Sequence, residues 1–237
     1  MSGWRLEEYP ELGSTSDEIV RRAKAGEPAW LAILALRQTA ARGSRGRAWT
    51  APEGNLNLSV LLRPSCPAVE AGLFSLMAGV AVVEALEQLG GKHLTLKWPN
   101  DILCDNAKLA GILIDAAPEQ GKLNWLAIGI GVNLLTAPEI PGRVTVALAS
   151  QGVKVTPQSA ASAILSRLEA WHQAPASEIR QAWLARGHHL GAPLDIAYAG
   201  RRVKGLFAGL SENGELLLQY ENRIEALNTG EVLLAGQ

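Results

Sequence analysis

Arginine, glycine and lysine recur in this chain where strands and helices end, and that pattern suits the handling of anions. Residues 38–49 carry Arg42, Arg45 and Arg47 close together, with Gly43 and Gly46 between them and Trp49 at the end. Glycine lets successive peptide N–H groups converge on one anion. Arginine adds a fixed fork of donors that matches carboxylate and phosphate oxygens. An indole beside such a cradle can stack on a purine. On its own the stretch reads equally well as a solvated basic loop.

Four further groups of residues bear on the choice. Lys97-Trp98-Pro99-Asn100-Asp101 sets a cation, an amide and a carboxylate around a proline break. Lys108-Leu109-Ala110-Gly111 places a lysine at the head of an apolar run, and Gly129-Ile130-Gly131-Val132-Asn133 ends another with two bare backbone positions and an amide. Glycine inside a strand often marks the close approach of a ligand or another backbone. Ser14-Thr15-Ser16 opens a helix, and the free N–H groups of a helix start also bind anions. Taken singly, these are solvated lysines, a turn-capping aspartate, packing glycines and an N-cap. Taken together, they can hold two anions side by side next to an aromatic surface, as an enzyme that activates a carboxylate by adenylation requires. The glycine pair at 129 and 131 is too short for a dinucleotide fingerprint, and no helix follows it. No GxxxxGK[ST] stretch is present.

The elements that must position these residues can be read from periodicity and turn signals. Residues 4–12 suit an edge strand. A helix follows, with Thr15 and Glu18 as a capping box and Gly26 as its stop. Residues 30–36 and 56–63 read as buried strands. The connection between them, which holds the arginines, is long enough to be functional. A long apolar helix starts near Pro67 and ends at Gly90-Gly91. Residues 94–98 alternate like a strand, interrupted by Pro99 and resumed at 102–104. Asp105-Asn106-Ala107 is a hairpin turn, and residues 108–116 and 123–132 form an antiparallel pair. Residues 134–146 lack a period and read as a loop. Thr156 caps a helix to 172, and a shorter helix covers 176–186. From Pro193 onward, short strands separated by Gly or Asn turns make a small all-β module, SH3-like in spacing. The division expected is a catalytic domain over 1–189 and a C-terminal domain over 190–237.

Composition limits the alternatives. The chain has 237 residues, 48% of them hydrophobic, enough for one large domain plus a small one. A formal net charge of −1 argues against a bulk nucleic-acid or membrane binder. Cys66 and Cys104 form no CxxC, and no metal-ligand set is assigned. Neither a signal peptide nor an uninterrupted apolar run of about 18 residues is visible, so a soluble cytoplasmic protein is expected.

The run 38–49, then 97–101, then 108–113, then 129–133, resembles biotin protein ligase in order and spacing, and Ser14-Thr15-Ser16 matches the family's Ser-Thr-Asn-type start. The resemblance covers about residues 10 to 237. It implies an α+β fold: a mixed, mostly antiparallel sheet with helices on one side, related to class II synthetases, followed by an SH3-like barrel. The DNA-binding helix-turn-helix of bifunctional members has no counterpart, so an enzyme without repressor activity is expected. The implied reaction joins biotin to MgATP as biotinyl-5'-AMP and transfers it to a lysine of a biotin carboxyl carrier protein. By motif position, Lys108, Arg42 and Asp101 are the catalytic candidates, with Asp101 placed to deprotonate or position the acceptor amine. Ser14, Thr15, Ser16, Gln38, Arg42, Gly43, Ser44, Lys108, Gly111 and Gly129 would bind biotin. Arg45, Arg47, Trp49, Asn100, Lys108 and Asn133 would bind ATP. The resemblance has departures: the family loop runs Gly-Arg-Gly-Arg-x-Gly-Arg-x-Trp, whereas Ala41 replaces its first glycine and Ser44 its second arginine. Lipoate–protein ligase shares the implied fold and chemistry, and a non-catalytic vitamin- or nucleotide-binding module is the alternative of another class. Strand edges leave pairing into a homodimer open.

Overall fold

Apolar runs that alternate or saturate with Leu, Ile and Val form a seven-stranded sheet in the computed structural model, which describes residues 3–233 except Ala48, Ala51 and the Arg45 side chain. Its strands are β1 (Arg5–Leu12), β2 (Leu31–Gln38), β3 (Leu56–Leu62), β4 (Leu94–Lys97), β5 (Asp101–Cys104), β6 (Ala107–Glu119) and β7 (Lys122–Val132), in the order β1-β2-β3-β7-β6-β5-β4. Only β1 and β2 run parallel, because the helix α1 (Thr15–Lys24) carries the chain back between them. All other pairings are antiparallel, and tight turns make the β4–β5, β5–β6 and β6–β7 hairpins. At the β5–β6 turn, Asp105 and Asn106 both take the positive φ that such turns need.

Helix α2 (Ala71–Gln88) is apolar around nearly its whole circumference, so it needs burial on several sides. It lies against the sheet and is covered by α3 (Pro157–Trp171) and α4 (Ala176–Leu184). The segment Ala68–Gln88 is long and apolar enough to cross a membrane, but here it is the central core helix. It begins in a short 3-10 turn, because the N–H of Ala68 donates to Gly121 O and Cys66 O accepts from Leu123, which pins the expected helix start to the β6–β7 turn. Helix α3 starts at Thr156 with Pro157 behind it, as expected, in a reciprocal cap with Ser159.

Three helices therefore cover one face of the sheet. The short α1 packs on the other, where Ile19 and Ala23 meet Leu31, Ile33, Leu61, Trp125 and Ala127. Its cap is Ser14, whose hydroxyl accepts from the Asp17 N–H at 3.2 Å, rather than Thr15. Thr15 is unavailable for capping because its hydroxyl is committed to Gln38 and Ser59. The expected single interrupted strand around Pro99 is instead a hairpin: Lys97 pairs with Asp101 across β4 and β5, around a cis Trp98–Pro99 peptide.

The C-terminal strands β8 (Pro193–Tyr198), β9 (Arg201–Leu210), β10 (Leu216–Tyr220), β11 (Arg223–Leu227) and β12 (Glu231–Val232) form a small antiparallel sheet in the order β11-β10-β9-β8-β12. It is fastened to the catalytic sheet at the β4–β5 turn. The buried Trp98 donates its indole N–H to Gly214 O at 3.2 Å, and its backbone N–H points to His188 Nε2 at 3.4 Å. Burial, reinforced by the Lys97 charge, pushes the His188 pKa down to about 4, which keeps this nitrogen an acceptor at neutral pH. On the outer edges of the large sheet, β1 carries Pro10 among glutamates, and Leu96 of β4 donates its N–H to Arg186 O, both features that disfavour strand pairing.

Candidate active site

The cleft opens where β2 ends at Gln38, over the glycines of β6 and β7. Gly111 and Gly131 lie directly opposite each other, and Gly129 faces Leu113 on one side and Ser59 on the other. A Cβ on Gly131 would come within 2.6 Å of the Trp49 indole, and one on Gly129 within 2.5 Å of Ser16 Oγ. Bare backbone at these points lets an aromatic ring and a helix start rest directly on the sheet. The cavity volume is about 110 Å³.

One wall is the start of α1. Gln38 Oε1 accepts from the Thr15 backbone N–H at 2.6 Å and from its hydroxyl at 3.2 Å. Ser59 donates to Thr15 Oγ1 at 2.8 Å, and the hydroxyls of Ser16 and Ser59 stand 3.2 Å apart. With the Ser59 proton directed to Thr15, Ser16 is the donor of the last pair and keeps lone pairs for other partners.

The opposite wall holds a buried triad. Asp101 lies 2.5 Å from Lys108 Nζ and 3.2 Å from Lys97 Nζ, and the three side chains are only 9%, 15% and 5% exposed, respectively. Burial alone would raise the Asp101 pKa, but the two ammonium groups outweigh it and hold the carboxylate below its usual range. Burial lowers the proton affinity of Lys108, Asp101 offsets part of that, and the nearby charges of Arg143 and Lys97 add to the lowering. Lys97 also donates to Val232 O at 3.2 Å, so β12 of the small sheet helps to hold the triad. Lys108 reaches the cleft, with its Nζ 5.5 Å from the centroid of the Trp49 ring.

The arginine loop closes the front. Among its described residues it holds one 3-10 turn, at Ser44–Gly46. Arg42 and Arg47 are engaged by carboxylates from three separate elements. Arg42 meets Asp17 of α1 at 2.6 Å and Asp115 of β6 at 2.9 Å. Arg47 meets Glu231 of β12 at 3.0 Å and donates to Ser44 Oγ at 3.3 Å. Glu231 also pairs with Arg143, from the loop after β7.

Of the residues singled out from the sequence, Thr15, Ser16, Gln38, Arg42, Gly43, Ser44, Arg47, Trp49, Asn100, Lys108, Gly111 and Gly129 line this one cleft. The side chain of Arg45 lies outside the described residues. Ser14, Asp101 and Asn133 stand behind the wall. Ser14 is occupied as the cap of α1. Asp101 is enclosed by two lysines, which removes it from the position of a base for an incoming amine. The Asn133 amide donates to Val146 O at 3.2 Å and so ties down the following loop instead of facing a nucleotide. Ser59, Arg143 and Glu231 were missed. Ser59 could have been noticed as a hydroxyl in an otherwise apolar strand, whereas nothing local in the sequence distinguishes the other two.

This arrangement can be set beside known proteins. Residues 16–133 match the biotin/lipoate A/B protein ligase family, and residues 189–234 match the biotin protein ligase C-terminal domain. The biotin–[acetyl-CoA-carboxylase] ligase of Paracoccus denitrificans is 34% identical over 240 residues, spanning 94% of this chain and 98% of the relative. A structure of the biotin protein ligase from Aquifex aeolicus in complex with biotin and ATP has a TM-score of 0.79 at 27% identity, covering 96% of this chain and 97% of that one. The Leishmania major enzyme in complex with biotinyl-5-AMP has a TM-score of 0.66 at 25% identity, covering 98% of this chain and 99% of that one. With motifs, both parts of the fold and a full-length relative in agreement, this chain belongs to the biotin protein ligase family.

Proposed function

We propose that this protein activates biotin with ATP and transfers it to a lysine of a biotin carboxyl carrier protein, as the acetyl-CoA-carboxylase ligases related to it are named for doing. The observation that carries the reading is Lys108: a buried ammonium group that reaches the cleft between a glycine floor and an arginine loop.

In the first step a biotin carboxylate oxygen attacks the α-phosphorus of ATP, the acyl–phosphate bond forms and pyrophosphate leaves. Negative charge accumulates on the phosphate oxygens, so fixed cations and N–H donors are the effective catalysts. Lys108 bridges the carboxylate and the α-phosphate in this reading. Arg42 and the backbone N–H groups of Gly43 and Ser44 assist. Asp101 fixes Lys108 and acts through it as a positioning residue. The acceptor at Ser16 suits a ureido N–H of biotin, the Gln38 amide NH2 suits the ureido carbonyl, and Leu58, Ile112 and Ile130 wall its apolar body. Arg47 takes phosphate, and Trp49 offers a face to adenine. In the second step the carrier's lysine amine attacks the acyl carbon, an amide forms, AMP leaves and the amine loses its proton. The need for MgATP and a carboxylase carrier as acceptor supports a cytoplasmic enzyme in this reading.

Biotin-dependent ATP–pyrophosphate exchange tests the reading, with lipoate in place of biotin as the control. Exchange is expected with biotin only. Lys108→Ala should lower it by about a thousandfold while the circular dichroism spectrum is preserved. Exchange retained in that variant would remove Lys108 from the chemistry.

A further inference from the structure

Strand β3 is buried along its whole length and is otherwise made of leucine, valine and Asn57, yet it carries Ser59, which is fully buried. A hydroxyl in that setting needs hydrogen-bond partners. Those of Ser59 are Thr15 and Ser16, at the start of α1. The directions of these bonds follow from one fixed donor. The Thr15 backbone N–H can only donate, so the Gln38 atom 2.6 Å away is the amide oxygen. That oxygen can only accept, so the Thr15 hydroxyl gives it its single proton at 3.2 Å. Thr15 Oγ1 is then the acceptor towards Ser59 at 2.8 Å, and Ser59 in turn accepts from Ser16 at 3.2 Å. Bare backbone at Gly129 leaves room for this last contact, because a Cβ there would stand 2.5 Å from Ser16 Oγ and 3.6 Å from Ser59 Oγ. The bonds therefore run one way, from Ser16 through Ser59 and Thr15 to Gln38. The only hydroxyl proton of Ser16 is turned into the wall, and the cleft is offered the lone pairs of Ser16 and the NH2 of Gln38.

We propose that Ser59 is a positioning residue for substrate specificity: it fixes the Ser16 hydroxyl as an acceptor, so that the cleft selects a cyclic urea by an N–H beside its carbonyl. The proposal rests on the ligase reading above. The family start is of the Ser-Thr-Asn type, and an asparagine amide keeps its donor and its acceptor on different atoms. The chain has a hydroxyl at Ser16 instead, which donates or accepts as it rotates, so its role has to be set by a neighbour. Ser59 sets it from behind the wall of the cleft. With the Ser16 proton committed, a ligand atom that brings only lone pairs meets lone pairs and loses its hydrogen bond, whereas a ureido N–H finds an acceptor already in place.

The test measures KM in ATP–pyrophosphate exchange for biotin, for the two cyclic carbamates in which ring oxygen replaces one or the other ureido N–H, and for desthiobiotin, which keeps the urea and lacks the sulfur. The proteins are the unaltered full chain, Ser59→Ala and Ser59→Thr. The unaltered protein should show a KM for the poorer carbamate about a hundredfold above that for biotin. Ser59→Ala frees the Ser16 hydroxyl to turn and donate. It should raise KM for biotin about fivefold and narrow the carbamate ratio to about tenfold, with the desthiobiotin ratio, KM for MgATP and Tm unchanged. Ser59→Thr keeps the hydroxyl and should keep the parental carbamate ratio. An unchanged carbamate ratio in Ser59→Ala would overturn the assignment, whatever the KM for biotin. Equal losses for biotin, carbamates and desthiobiotin with a lowered Tm would make Ser59 a packing residue and overturn it too. Absence of biotin-dependent exchange in the unaltered protein would overturn the ligase reading and this assignment with it, whereas the other outcomes leave that reading intact.

Discussion

Two sets of cations face the same cleft and are held in opposite ways. Lys97 and Lys108 are buried around one carboxylate, on the two strands that flank its own, with the small sheet closing over them through Val232. Arg42 and Arg47 sit on a loop, are 39% and 45% exposed, and borrow carboxylates from α1, β6 and β12. Burial makes the first set stiff, because removing its carboxylate would leave charge without solvent or partner. Exposure makes the second set exchangeable, since pairs in water are worth only about 0 to 1 kcal/mol. A ligand anion can therefore displace the carboxylates around the loop arginines at little cost, while the lysines stay where the sheet puts them. The division suits a reaction in which one ammonium group must meet a reacting oxygen and the remaining cations need only close around the phosphates.

The largest expected effect comes from removing the carboxylate of the stiff set. Asp101→Asn keeps the size but leaves Lys97 and Lys108 as buried like charges, so stability should fall by about 3 kcal/mol. Asp115→Asn, which touches only the exposed Arg42, should cost less than about 0.5 kcal/mol. Urea denaturation of both variants measures the contrast, and equal losses would break it. The pH dependence has a definite sign. The folded Asp101 pKa lies below the usual value of about 3.9, so its contribution is complete above that value and is lost as pH falls through the folded-state pKa. Asp101→Asn should therefore lose stability less steeply than the parent in the acid range.

Trp49 joins the two sets, because it ends the arginine loop yet lies on the glycine floor. A Cβ at Gly131 would stand 2.6 Å from the indole, whereas one at Gly111 would stand 3.3 Å from it. Gly131→Ala should therefore expel the ring and raise KM for ATP about tenfold, a cost of about 1.4 kcal/mol and within the usual range for overpacking. Gly111→Ala should have a smaller effect. Steady-state kinetics and tryptophan fluorescence read the series, and a larger effect at Gly111 would show that the floor does not position the ring.

Much of this site was legible because its motifs are local. Lys108 heads its strand, the glycines interrupt theirs, and the arginine loop fills an aperiodic gap. The sheet strands and the small C-terminal module followed from alternation and turn residues. What stayed hidden depends on contacts between distant segments. Asp101 resembled a free base because sequence does not reveal that two lysines enclose it. Thr15 resembled a cap until Gln38 and Ser59 claimed its hydroxyl and Ser14 took the role. Proline 99 marked a break, but only the pairing of Lys97 with Asp101 made that break a hairpin. Arg143 lines the cleft only because the loop after β7 returns to the strand that carries Lys108.

The smallest expected effect concerns Ser44, where the family loop carries arginine. Ser44 lines the cleft and accepts from Arg47, so it supports an existing cation without adding one. Ser44→Arg should slow release of preformed biotinyl-adenylate about threefold to tenfold, the worth of a partly exposed charge-assisted hydrogen bond. A chase experiment with labelled adenylate measures it, and equal release rates would sink the idea.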